Sequence, residues 1–253
     1  MTRVKIGRMW IITLGRAQLI MAALVIVAIV GGAVVFNYLA GPPPIMTTMG
    51  PQPVRRGDIA QAGVSLMFNV DWGEDVIPAI LEILEESGVK VTFFVTGTWA
   101  RKNPQMLRLM YGQGHEIGLH GDKHSHVASL SEKDLATLIT QNAETVTKIV
   151  EDKPARLFAP PYGECSERVV KVAADLGYST ILWTHDTVDW KKPPPAKIVD
   201  RVLKRVESGA LFLMHPTAPT AEALPAVLRG LKQAGYTVVP VSQLLPAASR
   251  PTR

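Results

Sequence analysis

Short apolar runs alternate with amphipathic segments from residue 64 to residue 241, and this pattern predicts a repeated order of strand and helix. The predicted strands cover residues 64–70, 90–95, 116–120, 157–159, 179–184, 210–214 and 236–241. The predicted helices cover residues 74–87, 100–112, 167–176, 196–207 and 221–234, with a further long helix that begins near Ser131. Seven such units favour a parallel sheet that is closed, or nearly closed, into a barrel. An open doubly wound sheet is the alternative, because hydrophobic periodicity cannot show closure.

A different pattern occupies the N-terminal region, where residues 19–39 carry no charge and follow Arg3, Lys5, Arg8 and Arg16. A helix of this length spans a hydrocarbon core of roughly 30 Å, and the basic flank places its N-terminus inside the cell. We therefore expect a single transmembrane signal anchor that holds an extracellular domain at the cell membrane. The alternative is secretion after signal cleavage, although a cleaved signal normally has a shorter apolar region.

The remaining divisions of the chain follow from composition. Pro, Gly and Met dominate the segment after the apolar run, which predicts a spacer between the membrane and the domain. The predicted divisions are a basic cytoplasmic N-terminus at 1–18, the anchor at 19–39, a linker at 40–62, a catalytic domain at 63–246 and a tail at 247–253.

Overall composition limits the functional classes. The chain has 253 residues, of which 47% are hydrophobic and 19% charged, and this suits one sizeable domain with an appendage. The net charge is +5, but the basic residues are scattered apart from the N-terminal group and Lys191-Lys192, so no nucleic-acid partner is predicted. Cys165 is the only cysteine, which excludes an intrachain disulfide.

Polar residues follow six of the predicted strands, at the point where each strand ends. In strand order they are Asn69 and Asp71, Thr96, His120, the Pro-Pro-Tyr-Gly turn at 160–163, Asp186, and His215. Each could be a turn residue, a helix cap or a core histidine if it stood alone. Because the carboxyl ends of parallel strands share one rim, their joint position predicts a functional site.

Two imidazoles four positions apart, in His120-Gly-Asp-Lys-His124, are typical of a metal-binding pair, and a carboxylate from another strand would complete it. Further motifs follow in order, and together they resemble the NodB-type polysaccharide deacetylases, carbohydrate esterase family 4, over about residues 65–245. The matching motifs are His120-x-x-x-His124, the turn at 160–163, Asp186-x-x-Asp189-Trp190, and Leu213-x-His215. The first motif is altered, and its form at residues 68–73 is similar to the branch associated with sporulation in Gram-positive bacteria.

The resemblance implies a distorted (β/α)7 TIM-like barrel that hydrolyses N-acetyl groups of N-acetylglucosamine units in peptidoglycan or a chitin-like polymer. It implies a divalent metal, zinc first, held by His120 and His124 with Asp71 as the third ligand. It also implies that His215 is the general acid and that Asp186 orients it. The expected groove for the sugar is formed by Pro160, Pro161, Tyr162, Gly163, Asp189 and Trp190.

Two positions depart from the family pattern. Asn69 stands where the family has its catalytic base, and Ala159 stands where an arginine normally supports that base. A neutral amide cannot take a proton from water at neutral pH, so turnover is expected to be slow or to use Asp71 as the base. The alternative is a catalytically impaired relative that binds glycan or acts as a scaffold.

Overall fold

A computed structural model describes residues 2–6, 9–13, 16–40, 50–60 and 62–245, and it divides the chain into two compact units, Met1–Met49 and Gly50–Arg253. The first unit contains strands β1 (Thr2–Ile6) and β2 (Met9–Thr13), which form an antiparallel hairpin, and helix α1 (Arg16–Ala40). The predicted tail at 247–253 lies outside the described residues, as do residues 41–49 of the predicted linker.

Helix α1 covers the apolar segment for which we predicted a membrane-spanning helix. In the part of the chain that is described, no helix combines the length and the apolar character required to cross a membrane. The structure therefore supports the helical conformation of this segment, and the transmembrane assignment stays a prediction.

The second unit alternates strands and helices in nearly the predicted order. Its strands are β3 (Gly63–Val70), β4 (Thr92–Val95), β5 (Glu116–Leu119), β6 (Leu157–Phe158), β7 (Ser179–Thr180), β8 (His185–Asp186), β9 (Leu211–Met214) and β10 (Thr237–Val238). Its helices are α2 (Ile77–Glu86), α3 (Gly97–Lys102), α4 (Pro104–Gly112), α5 (Glu132–Val150), α6 (Glu167–Asp175), α7 (Pro195–Leu203), α8 (Ala218–Gln233) and α9 (Val241–Leu244).

Two predicted elements differ in the structure. The single helix predicted at 100–112 is two helices, α3 and α4, which meet at Asn103 because Pro104 has no N–H to continue the first one. The strand predicted at 179–184 is limited to β7 at 179–180, and an additional strand, β8 at 185–186, lies at the opposite edge of the sheet. The predicted start of α5 near Ser131 is confirmed, because the Ser131 side chain caps the helix and accepts a hydrogen bond from the Asp134 N–H.

The sheet is a curled half-barrel of eight strands in which every paired strand is parallel to its neighbour. Its order is β7-β6-β5-β4-β3-β9-β8, with β10 paired to β3. No ladder joins β7 to β8 among the described residues, so the sheet curves without closing fully. This architecture agrees with the predicted (β/α)7 fold and excludes the flat, doubly wound alternative.

Strand β3 lies at the centre of the sheet and is buried at all eight positions. Val64, Leu66 and Phe68 belong to the large cluster between the sheet and the helices, whereas Met67 belongs to a smaller cluster inside the curve. Side chains alternate between the two faces of a strand, so Asn69 and Asp71 point to the same side as Met67. The predicted site therefore lies on the inner face of the half-barrel, at the carboxyl end of β3.

A short segment before β3 connects the edge strand β7 to the residues that precede β9. The Val54 N–H donates to the Thr180 carbonyl over 2.8 Å, and the Leu182 N–H donates to the Val54 carbonyl over 2.8 Å. Farther along, the Gly57 N–H donates to the Gly209 carbonyl, also over 2.8 Å. These bonds connect the two sides through residues 54–57, which fall inside the stretch predicted as a linker.

Candidate functional site

A cavity of about 360 Å³ lies at the carboxyl ends of the strands. Its walls are formed by Asn69, Trp72, His124, Tyr162, Gly163, Trp183, Asp186, Trp190, Leu213 and His215. Most of these residues were predicted from the motifs, but Trp72 and Trp183 were not assigned to the site. Pro160 and Pro161 are buried and do not line the cavity, so their role is to support the turn. The residues of this turn that line the cavity are Tyr162 and Gly163.

His120 follows β5 and is almost fully buried, with 1% of its surface exposed. Its Nδ1 lies 2.6 Å from the Ala159 carbonyl oxygen. A carbonyl can only accept, so Nδ1 must carry the proton, and Nε2 keeps its lone pair. Burial and then the neighbouring His124 lower the pKa of His120 to about 3, which leaves a neutral imidazole of the kind that binds metal ions.

His124 lies beside this imidazole, and Asp71 lies near His124. The rings of His120 and His124 have centroids 5.0 Å apart and are inclined by 63°. Burial lowers the pKa of His124, and the nearby Asp71 carboxylate opposes this shift. One oxygen of that carboxylate accepts a 2.7 Å hydrogen bond from the Thr96 hydroxyl.

The structure places two of the predicted metal ligands, His120 and His124, side by side, with Asp71 near His124. In the portion of the chain that is described, no group of three or more His, Cys, Asp or Glu side chains is arranged to hold a metal ion. The donor types of the three predicted ligands, two imidazoles and one carboxylate, are those that suit a divalent metal.

The Pro-Pro-Tyr-Gly turn forms one wall of the cavity. Tyr162 adopts a φ of 59°, and its ring is contacted by two histidines. The edge of His124 lies 4.4 Å away between centroids, and the ring of His126 is stacked on Tyr162 at 4.1 Å and 7°. Gly163 has a φ of 67°, and a Cβ added to it would overlap the Trp183 ring, so glycine is required there.

His215 is held by a carboxylate, as predicted, but the residue is Asp189 and not Asp186. Asp189 is fully buried; its Oδ1 lies 2.8 Å from His215 Nδ1, and its Oδ2 accepts a 2.7 Å bond from the His215 N–H. The Thr220 hydroxyl donates to the same Oδ2 over 2.7 Å. Asp189, which we expected in the sugar groove, is therefore the partner that orients His215.

A local turn explains why the two aspartates exchange their expected roles. Val188 has a left-handed φ of 52°, and the short helical turn that follows it directs Asp189 beneath His215. Asp186 lies on the cavity wall, and its Oδ1 accepts a 2.7 Å bond from the Val188 N–H. Spacing in the sequence gives no sign of this reversal.

Aromatic side chains surround the opening. Trp72 is 40% exposed and stacks nearly parallel to His215, with ring centroids 6.1 Å apart and an interplanar angle of 5°. Tyr162 and Trp190 are 55% and 49% exposed. Exposed rings around a polar cavity suit a ligand that has both apolar and hydrogen-bonding surfaces, as sugars do.

The two departures from the family pattern lie close to the inner face. Asn69 is 7% exposed, and its Oδ1 has no hydrogen-bond partner among the described residues. Ala159 is 1% exposed and belongs to the apolar cluster inside the sheet. A neutral amide and a methyl group thus occupy the positions at which the family has a carboxylate and an arginine.

Comparison with known proteins agrees with this arrangement. A family model for polysaccharide deacetylase matches residues 57–181. A peptidoglycan-N-acetylglucosamine deacetylase of Bacillus cereus is 34% identical over 188 residues, which cover 72% of this chain and 87% of that protein. The uncharacterized protein YlxY of Bacillus subtilis is 36% identical over 200 residues, and the match covers 79% of this chain but only 62% of that relative.

Among solved structures, a CE4 family pseudoenzyme from Bacillus anthracis has a TM-score of 0.76 and 36% sequence identity, covering 81% of this chain and 73% of that chain. A mutant of that pseudoenzyme has restored enzymatic activity. The family thus includes deacetylases, which are hydrolases of carbon–nitrogen bonds, and a pseudoenzyme. On its fold, its motifs and these similarities, the chain belongs to the polysaccharide deacetylases of carbohydrate esterase family 4.

Proposed function

We propose that this protein is a metal-dependent deacetylase that removes N-acetyl groups from N-acetylglucosamine units of a cell-wall polysaccharide. The observation that carries this proposal is the buried contact between Asp189 and His215, which aims a histidine into the cavity shared with His124. The Bacillus cereus relative is a peptidoglycan-N-acetylglucosamine deacetylase, and this similarity supports the same substrate class.

The proposed metal ligands are His120, His124 and Asp71, with zinc as the expected ion. Burial keeps the imidazole of His120 neutral, and its bond to the Ala159 carbonyl fixes the tautomer with a free Nε2. A bound divalent ion would polarise the acetamido carbonyl and lower the pKa of a water molecule.

His215 would serve as the general acid that protonates the leaving amine. Asp189 accepts from its Nδ1, so Nε2 is the nitrogen left to face the cavity and exchange a proton with the substrate. The base is the weak part of this site, because Asn69 offers only an amide. Asp71, whose carboxylate lies near His124, is the candidate for that role, which it would combine with metal binding.

A second candidate function is glycan binding without turnover. Asn69 and Ala159 favour it, and so does the similarity to a CE4 family pseudoenzyme. General base catalysis typically increases the reaction rate by about 10²–10⁴-fold. A slow enzyme and a protein that only binds glycan therefore differ in how much of this rate the site retains.

The first prediction concerns the aspartate that holds His215. We expect Asp189→Asn to lower the free energy of unfolding by about 1–3 kcal/mol, because its buried oxygens accept three hydrogen bonds and an amide cannot accept them all. The matched variant Asp186→Asn should change the unfolding free energy by less than about 1 kcal/mol. Urea denaturation of both variants tests this, and equal losses would contradict the assignment of Asp189.

The second prediction concerns the metal. We expect the purified chain to bind about one zinc ion, and His124→Ala to lose most of it, because an imidazole ligand is removed. His185→Ala is the control, since His185 is half-buried but does not line the cavity. Elemental analysis provides the measurement. Absence of zinc from the wild type, even after reloading, would refute the proposed metal site.

The third prediction restores the missing base. Replacing both Asn69→Asp and Ala159→Arg should increase acetate release from N-acetylglucosamine tetramer by about 10²–10⁴-fold, because a carboxylate and its supporting cation return together. Each single variant should instead be destabilised by roughly 3–5 kcal/mol or unfold, since it places an unpaired charge in the interior.

The control for this experiment is His215→Gln in the doubly substituted protein, which should abolish the gain. A double variant that is folded, binds zinc and releases no more acetate than the wild type would show that base deficiency does not limit turnover.

We also propose that the chain is anchored in the cell membrane through residues 19–39, with the deacetylase domain outside the cell. The uncharged run behind a basic flank supports this, and the altered first motif supports a role in the sporulation-associated branch. The fourth prediction is that the full chain stays in the membrane pellet after alkaline washing. Release of the intact chain into the wash, or secretion of a shortened chain, would contradict the anchor.

A further inference from the structure

Tyr162 has a backbone conformation that needs support from outside its own turn. Its φ of 59° is left-handed, a conformation that is unfavourable for a residue other than glycine. Its side chain is also 55% exposed, so burial does not hold it in place. Other contacts must therefore stabilise this wall of the cavity.

The ring of His126 supplies one of these contacts. It lies 4.1 Å from the Tyr162 ring between centroids and is inclined by only 7°, so the two rings are stacked face to face. His124 meets the same tyrosine at 73°, which is a T-shaped contact. Tyr162 is thus held by a stacked ring from His126 and by a T-shaped contact with His124.

The carboxylate of Glu164, at the end of the same turn, fixes the position of His126. Glu164 lies two residues after Tyr162, and its Oε1 is 2.6 Å from His126 Nδ1. Its Oε2 accepts a 2.9 Å bond from the Ala128 N–H, and Arg168 donates to the Ala128 carbonyl over 2.6 Å. These bonds tie the loop after β5 to the turn after β6.

We propose that His126, anchored by Glu164, is a positioning residue that holds Tyr162 in place as a sugar-binding wall. We call these two residues the tyrosine clamp. The inference rests on the proposed function, because it assigns the cavity to a chain of N-acetylglucosamine. Neither residue belongs to the motifs by which the family is recognised, and neither lines the cavity itself.

The physical role of the clamp is to order Tyr162 before the ligand arrives. An aromatic ring that is already fixed loses less conformational freedom when a sugar packs against it, so affinity rises without a new contact. Removal of the stacked ring loses a contact that typically changes an equilibrium constant by about 3- to 10-fold.

The fifth prediction tests the clamp by calorimetric titration of the zinc-loaded full chain with N-acetylglucosamine tetramer. His126→Ala should raise Kd by about 3- to 10-fold, whereas His126→Phe should recover part of this loss, because phenylalanine keeps the stacked ring but not the bond to Glu164. Tyr162→Ala should weaken binding at least as much as His126→Ala. Lys123→Ala, an exposed change in the same loop, should leave Kd unchanged.

Stability separates positioning from general damage, since the His126 side chain is 65% exposed and its loss should leave urea denaturation nearly unchanged. If Tyr162→Ala weakens binding but His126→Ala does not, the clamp is refuted while the proposed function stands. If His126→Phe binds as weakly as His126→Ala, stacking is not the cause, which also refutes it. A wild type that does not bind the tetramer would instead contradict the proposed function, and the inference with it.

Discussion

The register of the parallel sheet is the constraint on which the candidate site depends. Strand β3 is hydrogen-bonded on both sides, with Asn69 opposite Phe94 of β4 and Phe68 opposite Met214 of β9. Side chains alternate with a period of two, so a slip of one residue would exchange the inner and outer faces. Asn69 would then point into the helical layer, and Phe68 would take its place. Burial of both faces of β3 is what prevents this slip.

Burial also determines the charge state of the site. The burial that keeps His120 neutral would also make it energetically unfavourable to place an isolated carboxylate or guanidinium next to it. Asn69 and Ala159 are consistent with each other in this respect, because two neutral groups occupy the positions at which the family pattern has a carboxylate and an arginine. The Ala159 backbone still serves the site, because its carbonyl accepts from His120 whatever side chain the residue carries. Catalytic capacity can thus be lost while the geometry of the neighbouring imidazoles is retained.

Most of the fold could be predicted from the sequence, because strand and helix periodicities are strong between residues 64 and 214. The motifs also placed the site at the carboxyl ends of the strands, because the polar residues that follow each strand can be recognised in the sequence. The partner of His215 could not be predicted, because a left-handed residue at Val188 decides which aspartate turns inward. The tyrosine clamp was missed for a related reason. His126 and Glu164 meet through two loops, and no periodic pattern reports contacts between loops.

The segment at residues 54–57 has a consequence for how copies of this protein meet one another. A sheet that does not close has two edge strands, and their free N–H and C=O groups can pair with the edge of another molecule. Here Val54 occupies the backbone groups of Thr180 and Leu182, next to the edge strand β7. The chain therefore covers part of its own β7 edge. Resistance to edge-to-edge aggregation is in this way supplied by residues that the sequence pattern assigned to a linker.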